Sequence, residues 1–211
     1  LGDRVSGIGD VNGDGYDDVA VATRYQSSST GRVFIFHGSA SGVGASPATV
    51  IAGGAAGDEF GSSVSGAGDV DADGYDDLLV AAVGAGSGAG EAFVYHGSAA
   101  GIVTTPVNTF TGSGTDAMGA HLGPAGDINN DGYDDIVVSA TGASSSYGEV
   151  YIHFGCADTD GDGYCAAGIG FVEDCDDTDA SVYPGAPEVI GDGIDQDCDD
   201  QEECYEDADA D

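Results

Sequence analysis

Basic side chains are almost missing from this sequence of 211 residues. It contains 3 Lys and Arg residues against 39 Asp and Glu residues, which gives a formal net charge of −36 at pH 7. Nucleic-acid binding requires a basic surface that neutralises phosphates, and docking on an anionic membrane requires one too. The composition therefore predicts that neither nucleic acid nor an anionic membrane surface is a partner.

Several other signals are also missing. The sequence has no apolar run long enough to span a membrane and no signal peptide, so we expect no membrane insertion. It has no CxxC pair, nucleophile elbow, phosphate loop or HExxH motif. Paired acids can hydrolyse glycosides, but here nearly all of them belong to the loops described below. We therefore expect no catalytic residues, no enzyme activity and no organic cofactor.

The acidic residues are clustered. Residues 1–155 carry 19 carboxylates, of which 13 lie in three short loops, and residues 156–211 carry the other 20 with no Lys or Arg. Disordered chains and proteins from high-salt habitats are acidic as well, but clustering favours a bound cation that neutralises the mutual repulsion. Because the chain starts at Leu1 and stops within another acidic stretch, 207–211, we expect it to be a piece of a longer exported protein.

A motif recurs three times, at Gly2–Asp10, Gly61–Asp69 and Gly119–Asp127, with its final aspartates 59 and 58 residues apart. Each motif and its acidic loop precede short β-type runs, at 19–22, 78–83 and 136–140, then at 31–38, 90–97 and 148–155, and finally at 48–52 and 107–111. Four short strands at this period are typical of a β-propeller blade. The sequence predicts an all-β fold with three blades, at about 1–59, 60–117 and 118–155. The third blade lacks its fourth strand, and three blades leave the ring incomplete.

The three loops share one pattern of oxygen ligands. Positions 1, 3, 5 and 9 are Asp or Asn, position 6 is Gly, and position 7 offers a backbone carbonyl. Calcium prefers six to eight such oxygens on a loop that can wrap around it. Asp-Gly pairs also occur in ordinary turns, but three loops in one frame favour calcium. The predicted ligands are Asp10, Asn12, Asp14, Tyr16 and Asp18; Asp69, Asp71, Asp73, Tyr75 and Asp77; and Asp127, Asn129, Asp131, Tyr133 and Asp135. The position-8 residues Asp17, Asp76 and Asp134 are expected to face solvent.

With Phe60-Gly61, the Gly-Ala-Gly before Asp69 and the loop itself, residues 1–155 resemble the FG-GAP repeats of integrin α-subunit propellers and of many bacterial surface proteins. The resemblance implies blades of a propeller that usually has seven, calcium in the blade hairpins, and a role in extracellular adhesion or recognition.

Residues 156–211 form a different module, which contains all five cysteines. Five cysteines allow 15 arrangements of two disulfides, among which we favour Cys175–Cys198. The predicted metal ligands are Asp158, Asp160, Asp162, Tyr164, Asp174, Asp176, Asp195, Asp197 and Asp199. The segment resembles a metal-binding repeat of secreted bacterial proteins and the thrombospondin type 3 repeat, in which ions and disulfides replace a core. A disordered acidic linker is the alternative.

These observations favour a calcium-binding structural or adhesion module of a larger secreted or cell-surface protein, which we expect to be bacterial. The alternatives are a propeller that recognises a glycan or a protein, and an accessory domain of a secreted enzyme. The expected partners are calcium and either a protein or glycan at a cell surface or further copies in a fibre or layer. Histidine ligation of a metal is not expected.

Overall fold

A computed structural model describes residues 2–156, 174–189 and 193–198. The chain divides into two compact units, Leu1–Gly155 and Cys156–Asp211. The predicted ligands Asp158, Asp160, Asp162, Tyr164 and Asp199 lie outside the described residues. None of the helices in the described ranges has the length and apolar character needed to cross a membrane.

The first blade is a four-stranded antiparallel sheet in the order β1-β2-β3-β4. Its strands are β1 (Arg4–Gly9), β2 (Asp18–Ala22), β3 (Arg32–Phe36) and β4 (Thr49–Ala52). Alternate residues of β2 are buried and half-buried. This period of two is typical of a sheet with one well-covered face.

The second blade repeats this order with β5 (Phe60–Gly68), β6 (Asp77–Ala82), β7 (Glu91–Tyr95) and β8 (Asn108–Thr111). All six residues of β6 are buried. A strand that is apolar along its whole length, such as Leu-Leu-Val-Ala-Ala here, is stable where protein covers both faces of its sheet.

The third blade contains β9 (Met118–Gly126), β10 (Asp135–Ala140) and β11 (Glu149–His153), in the order β9-β10-β11. It has no fourth strand among the described residues, as the sequence predicts. Three antiparallel sheets of this kind confirm the all-β propeller-blade fold and the incomplete ring.

The Gly/Ser-rich segment after the second strand of each blade forms one short, helix-like turn. These are α1 (Gln26–Ser29), α2 (Ala85–Gly88) and α3 (Ala143–Ser146). In α1, Ser27 and Ser28 have φ values of 54° and 62°, so this turn is not a continuous right-handed helix.

An apolar core lies between the first two blades. Blade 1 contributes Val33 and Ile35, and blade 2 contributes Phe60, Leu78 and Val80, all at most 3% exposed. The Phe60 ring lies 5.7 Å from the ring of Phe93 and 6.4 Å from that of Tyr95, measured between centroids. Aromatic side chains of blade 2 and aliphatic side chains of blade 1 therefore belong to one buried core.

Candidate metal-binding loops

Each acidic loop connects the first and second strands of its blade. Loop 1 (10–18) follows β1, loop 2 (69–77) follows β5, and loop 3 (127–135) follows β9. A β-bulge ends the first strand of each blade just before its loop. In blade 1, Gly9 lies at this bulge with a φ of 76°. This left-handed conformation suits glycine and turns the chain out of the sheet into the loop.

The position-1 aspartate organises the loop backbone. In loop 1, Asp10 Oδ1 accepts a hydrogen bond from the Asp14 amide at 3.1 Å, and Asp10 Oδ2 accepts one from the Gly15 amide at 2.7 Å. Burial acts to raise the pKa of Asp10, but the surrounding loop amides together outweigh it and lower the pKa. The carboxylate is therefore held in its charged, ligand-competent form.

Positions 3 and 5 complete the turn in the same way in every loop. In loop 1, the Asp14 amide also donates to Asn12 Oδ1 at 3.0 Å, and Asp14 Oδ1 accepts from the Tyr16 amide at 3.0 Å. The equivalent bonds in loops 2 and 3 involve Asp69, Asp71, Asp73 and Tyr75, and Asp127, Asn129, Asp131 and Tyr133. Three separate segments therefore adopt one local geometry, with alternate side chains turned towards the inside of the loop.

The position-9 aspartates are completely buried. Asp18, Asp77 and Asp135 are each 0% exposed. Asp77 Oδ2 accepts from the Val70 amide at 2.8 Å, and its Oδ1 accepts from the Gly97 amide at 2.8 Å. Asp18 and Asp135 make the corresponding pairs of bonds. Each of these carboxylates therefore ties the start of its loop to the end of the blade's third strand.

Loop 2 brings three carboxylates to one point. Asp69, Asp71 and Asp77 each offer an oxygen, and these oxygens lie within 4.8 Å of one another. Burial, with the neighbouring charges of Asp71 and Asp69 as a smaller contribution, raises the pKa of Asp77 to about 8. Burial also raises the pKa of Asp71, whose Oδ2 lies 3.0 Å from His96 Nδ1. This concentration of buried negative charge fits a divalent cation, which would compensate it.

Loops 1 and 3 differ from loop 2 because position 3 is Asn. Asn12 Nδ2 donates to Asp14 Oδ2 at 3.1 Å, and Asn129 Nδ2 donates to Asp131 Oδ2 at 2.6 Å. The neutral side-chain amide at position 3 of loops 1 and 3 therefore avoids the repulsion that the Asp71 carboxylate adds in loop 2. The roles of the Tyr16, Tyr75 and Tyr133 carbonyls as ligands remain predictions.

Position 8 shows where the sequence reasoning was wrong. Asp76 Oδ2 accepts a hydrogen bond from the Asp10 amide of the preceding blade at 2.7 Å, and Asp134 Oδ2 accepts one from the Asp69 amide at 3.2 Å. A Cβ on Gly9 would lie 2.0 Å from Asp76 Oδ2, so glycine is required there. Of the three position-8 residues, Asp17 alone is exposed as expected. The glycine before each loop was the available sequence signal for this contact.

The described part of the tail holds a second acidic group. Glu188, Asp195 and Asp197 place carboxylate oxygens within 4.8 Å of one another. Glu188 Oε1 accepts from the Gln196 and Asp197 amides at 2.6 and 3.0 Å, whereas its buried Oε2 has no hydrogen-bond partner among the residues that the structure describes. The sequence reasoning missed Glu188, because it lies seven residues before Asp195 and outside any Asp-x-Asp pattern.

Asp174 and Asp176 lie at the start of this described tail segment. Asp174 Oδ1 accepts from the Asp176 amide at 2.9 Å, and Asp174 lies beside Cys175 and Cys198. Those cysteines form a disulfide with a Cα–Cα distance of 5.7 Å, which confirms the favoured pairing. Because the sulfurs are bonded to each other, they offer no thiolate to a metal.

Comparison with known families decides what the repeats are. A model of the FG-GAP-like repeat matches residues 10–80, and a model of the FG-GAP repeat matches residues 118–153. The chain carries FG-GAP repeats. The matches cover all three loops and include strands of each of the three sheets. A third family model, the metal-binding motif Cu-binding_MopE, matches residues 174–203, which include the Glu188 group.

The FG-GAP region is similar to integrin α-subunits. It is 42% identical over 80 residues to human integrin alpha-6 and 47% identical over 74 residues to human integrin alpha-7, which covers 38% and 35% of this chain. It is 32% identical over 140 residues, or 62% of this chain, to integrin alpha-4 of Xenopus laevis. These alignments cover only 7%, 6% and 13% of the three relatives.

Proposed function

We propose that this chain is a calcium-binding module of an extracellular surface protein, in which calcium stabilises the blades for an adhesive or structural role. Loop 2 carries the proposal, because Asp69, Asp71 and Asp77 converge within 4.8 Å and two of them are substantially buried. Without a cation, the negative charges of these three carboxylates repel one another.

Calcium is the ion that best suits these ligands. Every predicted loop ligand is an oxygen, from a carboxylate, an amide or a backbone carbonyl, and hard cations prefer oxygen. Calcium takes six to eight oxygens in a flexible geometry, whereas magnesium demands a near-ideal octahedron and keeps several waters, so a loop that offers four side chains and a carbonyl suits calcium better. The extracellular and adhesive part of the proposal rests on the FG-GAP repeats and on the similarity to integrin α-subunits.

The expected contribution of calcium is large relative to the stability of a domain. Extracellular calcium sites often have dissociation constants of about 10⁻⁴–10⁻³ M. At ten times that constant, each site stabilises the folded state by roughly 1.4 kcal/mol. Three loops would then contribute ~4 kcal/mol, a large share of a typical total of about 5–15 kcal/mol.

We expect Asp14→Ala, Asp73→Ala and Asp131→Ala each to lower the melting temperature in millimolar calcium and to reduce the further drop caused by EGTA. Asp17→Ala is the matched control, because Asp17 belongs to loop 1 but is exposed. Native mass spectrometry should count one ion fewer in each of the three variants and none fewer in the control. Unchanged melting curves and ion counts in all three would overturn the proposal.

A further inference from the structure

Asn12, at position 3 of loop 1, is directly followed by a glycine. The chain has four asparagines, Asn12, Asn108, Asn129 and Asn130, and among them only Asn12 has Gly as its next residue. The backbone nitrogen of the next residue can attack the side-chain amide of an asparagine, and a side chain on that residue hinders the attack. Glycine has no side chain and is conformationally permissive. Asn12 is therefore the most reactive side-chain amide among the asparagines of this chain.

The packing between loops 1 and 2 favours glycine at position 13. Gly13 has a φ of 70°, and a Cβ at this position would lie 2.7 Å from Tyr75 Cε1. Two carbon atoms that are not bonded pack best at about 3.5–4.0 Å, so a side chain here would displace the Tyr75 ring. At the same position of loop 2, Ala72 has a φ of 57°, so the left-handed backbone alone does not require glycine. The close approach of the Tyr75 ring therefore favours the residue that leaves Asn12 open to attack.

The Asn12 side chain is folded along its own backbone. Its Oδ1 atom accepts a hydrogen bond from the Asp14 amide at 3.0 Å, and its Nδ2 atom donates one to Asp14 Oδ2 at 3.1 Å. The first of these bonds closes a ring that contains the Gly13 nitrogen, so the side-chain amide is held close to the atom that would attack it. Asn12 is half-buried, and Gly13 and Asp14 are exposed. Water therefore reaches this part of the loop.

We propose that Asn12 is a site of spontaneous deamidation and that calcium bound in loop 1 prevents the reaction. The second part rests on the proposed calcium site, in which Asn12 Oδ1 is a predicted ligand. Attack requires the Asn12 side chain to rotate away from Asp14, so that its Cγ atom faces the Gly13 nitrogen. Coordination of Oδ1 to a cation opposes that rotation. The cation also compensates the repulsion between the loop carboxylates, which favours opening of the metal-free loop.

The reaction consumes water and needs no enzyme. The Gly13 nitrogen loses its proton to solvent and forms a bond to Asn12 Cγ, and the Cγ–Nδ2 bond breaks as ammonia leaves. Water then opens the resulting succinimide ring at either of its two carbonyl groups. One product is an ordinary aspartate, and the other is an isoaspartate, in which the main chain runs through Cβ and Cγ of residue 12. Both products carry one additional negative charge.

The two products have different consequences for loop 1. The aspartate product gives loop 1 the Asp-x-Asp-x-Asp pattern that loop 2 already has. The isoaspartate product adds one atom to the main chain between Asp10 and Asp14. It therefore displaces the Asp14 and Gly15 amides from the Asp10 oxygens, which they bond at 3.1 and 2.7 Å. Loop 1 in the isoaspartate form should lose its ion.

The test compares the unmodified chain after incubation in EGTA and in millimolar calcium, in a warm and mildly alkaline buffer. Trypsin cuts after Arg4 and Arg24, so it releases Asn12 in a peptide that contains no second asparagine. Mass spectrometry of that peptide detects the replacement of NH₂ by OH, whereas isomerisation of an existing aspartate leaves the mass unchanged. Asn129 is the matched control in the same sample, because it occupies position 3 of loop 3 and makes the same two bonds but precedes Asn130. Chymotrypsin releases the peptide that contains it.

We expect Asn12 to lose its amide in EGTA and to keep it in calcium over the same period, and Asn129 to keep its amide in both buffers. Native mass spectrometry of the isoaspartate form, after chromatographic separation, should count one calcium ion fewer than in the starting chain.

An Asn12 amide that persists in EGTA, or is lost no faster than that of Asn129, would overturn the inference. Equal loss of the Asn12 amide in the two buffers, or an unchanged ion count in the isoaspartate form, would overturn it as well. The ion count of the starting chain separates this failure from a failure of the proposed function, because it shows directly whether calcium was bound.

Discussion

At the scale of single residues, the position-9 aspartate of each loop is both a hydrogen-bond acceptor and a predicted cation ligand. Asp18, Asp77 and Asp135 accept two backbone hydrogen bonds each, and they are themselves predicted cation ligands. A carboxylate oxygen has more than one lone pair, so it can accept a hydrogen bond and still coordinate a cation. A cation bound in the loop would therefore be coupled through these residues to the end of the third strand.

Asp77 leads to a prediction about pH. Its pKa is raised to about 8 in the folded, metal-free protein, against an ordinary value of 3.8. Between these two values the folded state keeps a proton that the unfolded chain has released, so the free energy of unfolding falls as the pH rises. Urea denaturation in EGTA should show this decline between pH 5 and 8, and excess calcium should reduce it because the cation replaces the proton.

Asp77→Asn is the control for that experiment. The variant removes the titrating group, so its unfolding free energy should be lower overall but less dependent on pH. An unfolding free energy that rises with pH in EGTA, in the unmodified chain, would contradict the interpretation.

At the scale of structural elements, the loops are joined from blade to blade. The Tyr75 ring lies against Gly13 of loop 1, where a Cβ would lie 2.7 Å from its Cε1 atom. The next residue, Asp76, bonds the Asp10 amide. Loops 1 and 2 are therefore joined by a packing contact and by a hydrogen bond to the loop backbone.

Asp76→Ala tests this connection, and Asp17→Ala is its matched control. The first change leaves the Asp10 amide without its side-chain acceptor, which we expect to cost about 1–3 kcal/mol of unfolding free energy. The second alters an exposed residue and should change it by less than ~0.5 kcal/mol. Urea denaturation in calcium gives both values. Equal effects of the two substitutions on the unfolding free energy would show that the hydrogen bond accepted by Asp76 adds no measurable stability.

At the scale of the whole molecule, the formal net charge of −36 opposes folding, because the carboxylates repel one another in the compact state. Salt screens such repulsion, since the Debye length falls from about 10 Å at 0.1 M to about 3 Å at 1 M. The ion pairs among described residues involve Asp3, Glu59 and Asp71, so most carboxylates have no cationic partner there.

We therefore expect the melting temperature in EGTA to rise with NaCl, and to rise more when a few millimolar calcium is added at equal ionic strength. Screening acts on all charges alike, whereas a bound ion acts at the loops. Magnesium is the control for divalent charge, because it demands octahedral geometry and gives up its water reluctantly. If NaCl or magnesium matched calcium, general screening would explain the stabilisation without specific sites.

Much of the fold could be predicted because its signals are local. The apolar runs 19–22, 78–83 and 136–140 fall within strands β2, β6 and β10 except for Val83. The sequence pattern of blade 3 also ends at Gly155 without a fourth strand, and the described residues contain none. The loops were predictable for the same reason, since hydrogen bonds between residues two to five positions apart shape each of them. The pairing Cys175–Cys198 could be favoured but not fixed, because five cysteines allow 15 arrangements of two disulfides.

The sequence by itself determined which segments form strands and loops, because period-two burial and the aspartate spacing depend only on neighbours along the chain. Tertiary structure alone decided the partners of Asp76 and Asp134. Their carboxylates accept hydrogen bonds from amides that lie 66 and 65 residues away in the sequence. It also decided that Val150 is exposed whereas Val33, at the same position of its blade, is buried. These differences have one physical reason: whether a blade face is covered depends on the next blade, and no local pattern records its presence.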